Sequence, residues 1–378
     1  MGQPFRIEVS DSTLDDLRDR VRRARFTTAS SSERWAVGVD PEWLKQLASY
    51  WADGFDWRAT EAVLNSVPHY LAEIAGTRMH YIVIPAETQP ALPIILNHGW
   101  PSSFVEMLAL ADRLAHPSRF GAADGTAYDV VVPSLPGFLY SALPDSPLTR
   151  AAIAELLHGL MVDELGFERY AIFGGDIGGV SGAWMAASHP ENVVGIVQIH
   201  PSFPSSFDEP PITVEEQVFL DAEDAYDATD GGYSAIMGTR PDTIAAALAD
   251  SPVGLLAWIV DKYRDWSDCD GNVESRFDRD TLLAIATLYW ATGSIGSSFR
   301  QYVDFEHNHD RGLVTVRAAF TLSCEISMTG FPRSIAERAY TDIRVWNTPG
   351  RGGHFLAHEE PQLAASEIRA FLALLETA

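Results

Sequence analysis

Between residues 69 and 200, short apolar runs alternate with helix-patterned stretches, and this alternation constrains the fold more than any other feature of the chain. His69 to Ile74 and Met79 to Ile84 flank Ala75-Gly76 and read as a hairpin. Pro93 to Leu96, Asp129 to Val132, Tyr170 to Phe173 and Val193 to Ile199 read as buried strands. Between them fall a helix capped by Thr149, with Ile153, Leu156, Leu157, Leu160 and Met161 on one face, and another over Val180 to His189. Parallel strands need long crossovers and helices supply them, so the pattern predicts an α/β fold with a mostly parallel, doubly wound sheet. From 201 to 311 the pattern breaks. Ser202 to Pro211 is rich in Pro and Ser and reads as a hinge; helices follow at Val214 to Ala225, Asp242 to Leu248, Pro252 to Tyr263 and Asp280 to Phe299. An all-helical insertion between two strands of a sheet reads as a lid. The alternation resumes with a strand over Val314 to Leu322, a short helix over Ile335 to Tyr340, a strand over Ile343 to Asn347 and an amphipathic helix from Pro361 to Leu375. The expected organisation is an N-terminal packing arm at 1–68, a first part of the sheet domain at 69–204, the helical lid at 205–311 and the rest of the sheet domain at 312–378.

The arm is rich in aromatic residues. Phe5, Ile7 and Val9 alternate with polar residues as in a half-buried strand, and Ser12 is placed to cap a helix bearing Leu14, Leu17 and Val21. Pro41 after Asp40 marks a second helix start, followed by Trp43, Leu44, Leu47 and Trp51 at helical spacing; Trp57 to Val67 reads as a third helix. A formal net charge of -25, spread along the chain, opposes binding to nucleic acid or to an anionic membrane. The two cysteines, Cys269 and Cys324, fall in no metal or redox spacing. No apolar run approaches the ~18 residues of a membrane span, and the first residues lack the apolar stretch of a secretory signal. A soluble, cytoplasmic protein with no membrane partner is therefore expected.

The chemistry gathers at strand ends. Gly174-Gly175-Asp176-Ile177-Gly178 follows the strand Tyr170 to Phe173 and precedes a helix. That is the pattern of a nucleophile elbow, whose tip is strained and whose neighbours must be small. The tip here is Asp rather than Ser. An ionised carboxylate needs no base to activate it, and its attack on a saturated carbon gives an alkyl ester. The structural alternative is a strand-to-helix turn in which Asp caps the helix. In open α/β sheets, ligands bind at the carboxyl ends of the strands. Asp176 lies at such an end, and so does His354, in the loop Gly350-Arg351-Gly352-Gly353-His354-Phe355 after the last strand of the sheet. The order nucleophile, acid, histidine known from α/β hydrolases asks for an acid between them, just past a strand. Glu325 after Val314 to Leu322 fits; Asp208 after the strand ending at Ile199 competes, and Asp342 sits at the wrong end. His354 would deprotonate the water that cleaves the ester, and the acid would orient its ring. His98-Gly99-Trp100-Pro101 ends another strand. The backbone N–H groups of Trp100 and Ile177 would form an oxyanion hole there, the alternative being a Pro-containing turn that caps the next helix. His98, Pro101, Phe138 and Phe355 are expected to line the substrate pocket.

This constellation resembles the α/β-hydrolase-fold epoxide hydrolases, in particular the microsomal type with its own N-terminal region. The resemblance runs from about Phe5 to about Glu376. It rests on His98-Gly99-Trp100-Pro101, on Gly174-Gly175-Asp176-Ile177-Gly178, and on Arg351-Gly352-Gly353-His354-Phe355 with Glu359-Glu360-Pro361. Ser251-Pro252-Val253-Gly254-Leu255 and Leu288-Tyr289-Trp290-Ala291-Thr292-Gly293 are similar to that family's lid. The resemblance implies Asp176 as nucleophile, His354 as base and Glu325 as the relay acid. It also implies two lid tyrosines donating to the epoxide oxygen, which fall on Tyr233, in a Gly-rich loop, and Tyr302, after a helix. An opened epoxide leaves an alkoxide, and a phenol of reference pKa ~10 is protonated at neutral pH and can donate to it. The implied activity is hydrolysis of an epoxide to a vicinal diol, with no cofactor and no metal. The expected partners are a small apolar epoxide and water, with a homodimer as the assembly to test.

Two departures from the family bear on function. Membrane-bound relatives carry an N-terminal transmembrane helix that this chain lacks, and close relatives often have Trp where Ile177 follows the nucleophile. The rival readings are a haloalkane or haloacid dehalogenase, a Ser-type esterase and an inactive hydrolase scaffold used for binding. Ile177 offers no side-chain donor to a halide, the elbow carries no Ser, and an intact Asp, acid and His set argues against an inactive scaffold. Glu306-His307-Asn308-His309-Asp310 reads as a solvated loop rather than a metal site. Asp268-Cys269-Asp270-Gly271 fails as a calcium loop, because Trp266 and Phe277 would occupy its first and twelfth positions.

Overall fold

A computed structural model of the chain describes residues 1–122, 125–204 and 211–376. The arm holds β1 (Gln3–Phe5), α1 (Asp11–Arg22), α2 (Pro41–Asp53) and α3 (Trp57–Leu64). The strand expected through Val9 stops at Phe5. The amides of Ile7 and Val9 go instead to side chains, Asn65 Oδ1 at 2.9 Å and Glu61 Oε1 at 2.7 Å, while both residues stay buried. Ser10, not Ser12, caps α1 and accepts from the Thr13 amide. A cap stands immediately before the first helical residue, and the helix starts two residues earlier than the apolar spacing suggests. Asp40 caps α2 as expected, accepting from the Trp43 amide at 2.8 Å.

The sheet domain continues with the hairpin β2 (His69–Ile74) and β3 (Thr77–Ile84), then β4 (Pro93–Asn97), α4 (Phe104–Ala115), β5 (Asp129–Pro133), α5 (Arg150–Gly159), β6 (Tyr170–Gly174), α6 (Asp176–Ser188) and β7 (Val193–Gln198). The lid follows as α7 (Val214–Asp230), α8 (Gly232–Thr239), α9 (Pro241–Asp250), α10 (Pro252–Trp266), α11 (Arg279–Thr292) and α12 (Arg300–Val303). The chain returns through β8 (Ala318–Thr321), α13 (Arg333–Glu337), β9 (Ile343–Asn347), α14 (Leu356–Glu359) and α15 (Pro361–Glu376).

The described strands form one sheet in the order β1-β2-β3-β5-β4-β6-β7-β8-β9. Pairing is antiparallel from β1 to β3 and between β3 and β5, and parallel from β5 to β9. The central strands are apolar on both faces because helices cover both. Their register places the site. Asn97 pairs with Gly174, Gly174 with Gln198, and Thr321 with Asn347. These strands end at one level, so the loops after β4, β6, β7, β8 and β9 emerge side by side.

Two lid expectations change. Residues 232–239 form α8, so Tyr233 sits on a first helical turn rather than in a loop. The helix expected over Asp280 to Phe299 ends at Thr292, where Gly293 turns left-handed at φ +63 and caps the Tyr289 and Trp290 carbonyls. The arm clasps this lid through its aromatic residues. Trp51 donates its indole N–H to buried Thr287 at 2.9 Å, Trp43 to Glu274 at 2.8 Å, and the Tyr50 hydroxyl reaches Asp280 at 2.8 Å. On the far side the lid is latched to the sheet domain. The Arg338 guanidinium grips the Glu216 carboxylate at 2.7 and 3.0 Å and holds it down at about 2. Among the described residues, no single helix is long and apolar enough to cross a membrane.

Candidate active site

Asp176 has φ +50, a left-handed conformation that costs a non-glycine residue about 1–3 kcal/mol and recurs at functional sites. The packing around it leaves no room for side chains. A Cβ on Gly178 would come 2.4 Å from the carbonyl oxygens of Asn97 and His98, and one on Gly99 would come 2.3 Å from Asp176 Oδ1. The start of α6 and the loop after β4 therefore meet backbone to backbone. In that contact the Trp100 amide donates to Asp176 Oδ1 at 2.8 Å. Ile177, second residue of α6, carries one of the amides that a helix start leaves without an intrahelical acceptor.

His354 and Glu325 meet at the next strand ends. His354 Nδ1 lies 2.6 Å from Glu325 Oε2, and Ser327 donates to the other carboxylate oxygen at 2.6 Å. The His354 loop is tied down from below. The Glu359 carboxylate accepts from the amides of Gly353 and Phe355, both at 3.0 Å, and of Asp268 at 2.7 Å, while the His354 amide donates to Trp266 O at 2.8 Å. Gly353 admits no larger residue, since its Cβ would stand 2.5 Å from Asp268 N and Trp266 O. The sequence motif ending in Glu359 is thus a brace for the histidine. Burial alone would lower the His354 imidazole; the Glu325 charge outweighs it, Asp176 adds to the effect, and the ring is held protonated up to about 9. Burial likewise would raise Glu325, but the imidazoles of His354 and His200 hold it well below the usual carboxylate range. Asp208, the competing acid, lies outside the described residues.

The lid closes over this centre with an aromatic cluster. Trp100 stacks on Tyr233 at 5.3 Å and 10° and meets Tyr302 edge-on at 6.2 Å; Tyr233 and Tyr302 lie 6.3 Å apart, ring to ring. Burial, with the Asp176 charge next for Tyr233 and the neighbouring phenol next for Tyr302, pushes both hydroxyls well above the usual phenol range. Both phenols therefore keep their protons at neutral pH. Beneath Tyr233 the Lys262 ammonium lies 5.0 Å from its ring and is paired with Asp230. Phe355 stacks on Tyr263 at 4.2 Å beside His354, and Pro101 is buried next to Trp100. His98 and Phe138, expected in the pocket wall, are buried against each other. His98 is fully buried, with Nδ1 on the Gly99 carbonyl at 3.0 Å and Nε2 on the Leu135 amide at 3.1 Å, and Phe138 packs edge-on against it at 5.1 Å. Burial takes the His98 imidazole down to about 4, so it is a neutral tie between two loops. A separate surface cleft of about 580 Å³ lies between the arm and the lid, lined by Arg23, Phe26 and Pro252, away from Asp176.

Two residues that the sequence did not single out border the site. Glu106, on the first turn of α4, is pushed by burial up to about 7, with the His354 imidazole opposing the rise and the Asp176 charge adding to it. His200, just past β7, accepts the Asp176 amide on Nδ1 at 2.9 Å and places Nε2 3.0 Å from Glu325 Oε2. The strand-end position that selects Asp176 would have selected His200 as well. His200, Glu325 and His354 hold donor atoms within 4.8 Å of one another, the one grouping among the described residues that could present ligands to a metal ion. Hydrogen bonds within the protein already engage these atoms.

Comparison with known proteins gives a consistent picture. Residues 2–107 match a family model described as epoxide hydrolase N terminus, and residues 93–233 match one described as alpha/beta hydrolase fold. A putative epoxide hydrolase of Stigmatella aurantiaca is 36% identical over 97% of this chain and 83% of its own length. Epoxide hydrolase 1 of Oryctolagus cuniculus is 33% identical over 99% of this chain and 89% of its own. Among solved structures, juvenile hormone epoxide hydrolase of the silkworm Bombyx mori superposes with a TM-score of 0.89 at 27% identity, covering 99% of this chain and 95% of that one. An Aspergillus niger epoxide hydrolase does so with 0.83 at 28% identity, covering 99% and 97%.

Proposed function

Because the chain belongs to the epoxide hydrolase family, we propose that it converts an epoxide to a vicinal diol through a covalent ester on Asp176. The observation that carries this reading is the Trp100 amide on Asp176 Oδ1, 2.8 Å away, in a site that also holds the His354–Glu325 pair. With Oδ1 engaged, Oδ2 attacks a ring carbon of the epoxide and the carbon–oxygen bond of the ring breaks. The departing oxygen takes its hydrogen bonds, and then a proton, from Tyr233 and Tyr302. Oδ1 becomes the ester carbonyl oxygen. Esterification removes the Asp176 charge that helps keep His354 protonated, so the imidazole gives up its proton as the ester forms, and that proton restores the phenol that protonated the alkoxide. His354 then takes a proton from water, hydroxide adds to the ester carbonyl carbon, and charge develops on Oδ1, where the Trp100 amide already points. Cleavage of the acyl–oxygen bond sends the diol off with the proton of the added hydroxyl, restores the carboxylate and leaves His354 protonated as at the start.

Burial of the centre under Trp100, Tyr233, Tyr302 and Trp266 supports a small apolar epoxide as substrate. The test is His354→Gln, which leaves alkylation intact and blocks hydrolysis. Intact mass after incubation with a reactive epoxide should show one substrate mass added, mapping to the peptide that contains Asp176. An adduct on another residue, or none across a broad epoxide panel, would overturn the mechanism.

A further inference from the structure

We propose that His200 is a positioning residue that couples the nucleophile's backbone to the relay acid, and so acts on both halves of the reaction. This rests on the roles given above to Asp176, Glu325 and His354. The ring is held at three points. Nδ1 receives the Asp176 amide at 2.9 Å, and Nε2 lies 3.0 Å from Glu325 Oε2 and 3.2 Å from Ser323 Oγ. A backbone amide can only donate, so Nδ1 carries no proton and Nε2 does. Nε2–H therefore donates to the same carboxylate oxygen that His354 contacts at 2.6 Å, and the two rings face each other at 4.6 Å. The ring also fits where a larger elbow would strike it, since a Cβ on Gly175 would reach 3.1 Å from Nδ1.

Each nitrogen has its own consequence. The Nδ1 contact fixes the Asp176 amide, and with it the left-handed turn that aims the carboxylate at substrate. The Nε2 contact stabilises the Glu325 anion. Without it the carboxylate binds the His354 proton more tightly, and a protonated His354 cannot act as base. The ionisable groups facing His354 are Glu325, Asp176, Glu106 and His200 itself. Substituting His200 touches only the first two, through the contacts described.

Two substitutions separate these roles, because an Asn side-chain oxygen stands close to where Nδ1 is and a Gln side-chain nitrogen close to where Nε2 is. His200→Asn keeps an acceptor for the Asp176 amide and loses the donor to Glu325. His200→Gln keeps the donor and loses the acceptor. Single-turnover kinetics would follow ester formation and ester breakdown as functions of pH. In His200→Asn, ester formation stays near wild type, while the acid limb of breakdown moves up by about 1 pH unit and breakdown at neutral pH slows up to about 10-fold. In His200→Gln, ester formation slows about 10–100-fold and the limb of breakdown stays in place. Wild-type behaviour of both variants, or an equal loss in both steps with no movement of the limb, overturns the proposal. The His354→Gln adduct is an independent control. If it forms on Asp176 while the His200 variants behave as wild type, only this proposal falls; if it does not form, the ester mechanism itself falls.

Discussion

At the scale of single residues, Glu325 controls the proton of His354, and the sign of the effect can be worked out. The carboxylate raises His354 against its burial, to about 9, and the base must be neutral to work. Glu325→Gln removes the charge, so the acid limb of ester breakdown should move down by about 1–3 pH units while the plateau rate falls. That shift runs opposite to the one expected for His200→Asn. Stopped-flow measurement of ester breakdown against pH checks it. A limb that stays in place in Glu325→Gln and moves in Asp208→Asn would transfer the relay role to Asp208. The residues of this centre were unequally legible in the sequence. Asp176, Glu325 and His354 follow from residue type at strand ends, whereas Tyr233 and Tyr302 came from family resemblance, since nothing local marks a phenol on a lid helix as a donor. His200 also stands at a strand end, but a histidine that shares another residue's carboxylate has no spacing signature of its own. Its role depends on a parallel register that only the fold reveals.

At the scale of elements, the lid is latched by one buried ion pair between α7 and the residue after α13. Glu216 and Arg338 are 1% and 7% exposed. Breaking such a pair from one side leaves a buried charge alone, so Arg338→Ala should cost about 3–5 kcal/mol of unfolding free energy. The paired change Glu216→Gln with Arg338→Met should restore part of it. Urea denaturation of wild type and the two variants measures the loss and its recovery, and an Arg338→Ala loss within about 0.5 kcal/mol would show that the latch is not structural. The sequence predicted most elements and missed in instructive ways. Apolar spacing found α1 and placed its cap two residues late, because spacing marks the buried face and not the first turn. Gly231-Gly232 suggested a loop, yet the chain starts α8 there, since glycine lowers helix propensity without forbidding a terminus. The single helix expected over Asp280 to Phe299 breaks at Gly293, whose left-handed turn caps it.

At the scale of the whole molecule, a formal net charge of -25 repels itself across a compact surface. Raising NaCl from about 10 mM to about 150 mM shortens the screening length from ~30 to ~8 Å, so Tm should rise with salt. Turnover of an uncharged epoxide should stay nearly constant over the same range, because no charged ligand needs steering. Differential scanning fluorimetry with a parallel activity series would test both halves, and a Tm that falls with added salt would contradict the first. The tight seam between the loop after β4 and the start of α6 has a consequence for how such a protein can diversify. Its spacing is set by two glycines, Gly178 against the carbonyls of Asn97 and His98 and Gly99 against the Asp176 carboxylate, and not by the side chains that surround the substrate. Natural drift or a mutagenesis library can therefore exchange Ile177 and the rings of the lid to suit a new guest while the distance between nucleophile and amide stays locked. Selectivity and reactivity are separately inherited traits in this architecture, and the two glycines are the positions where a library should not look.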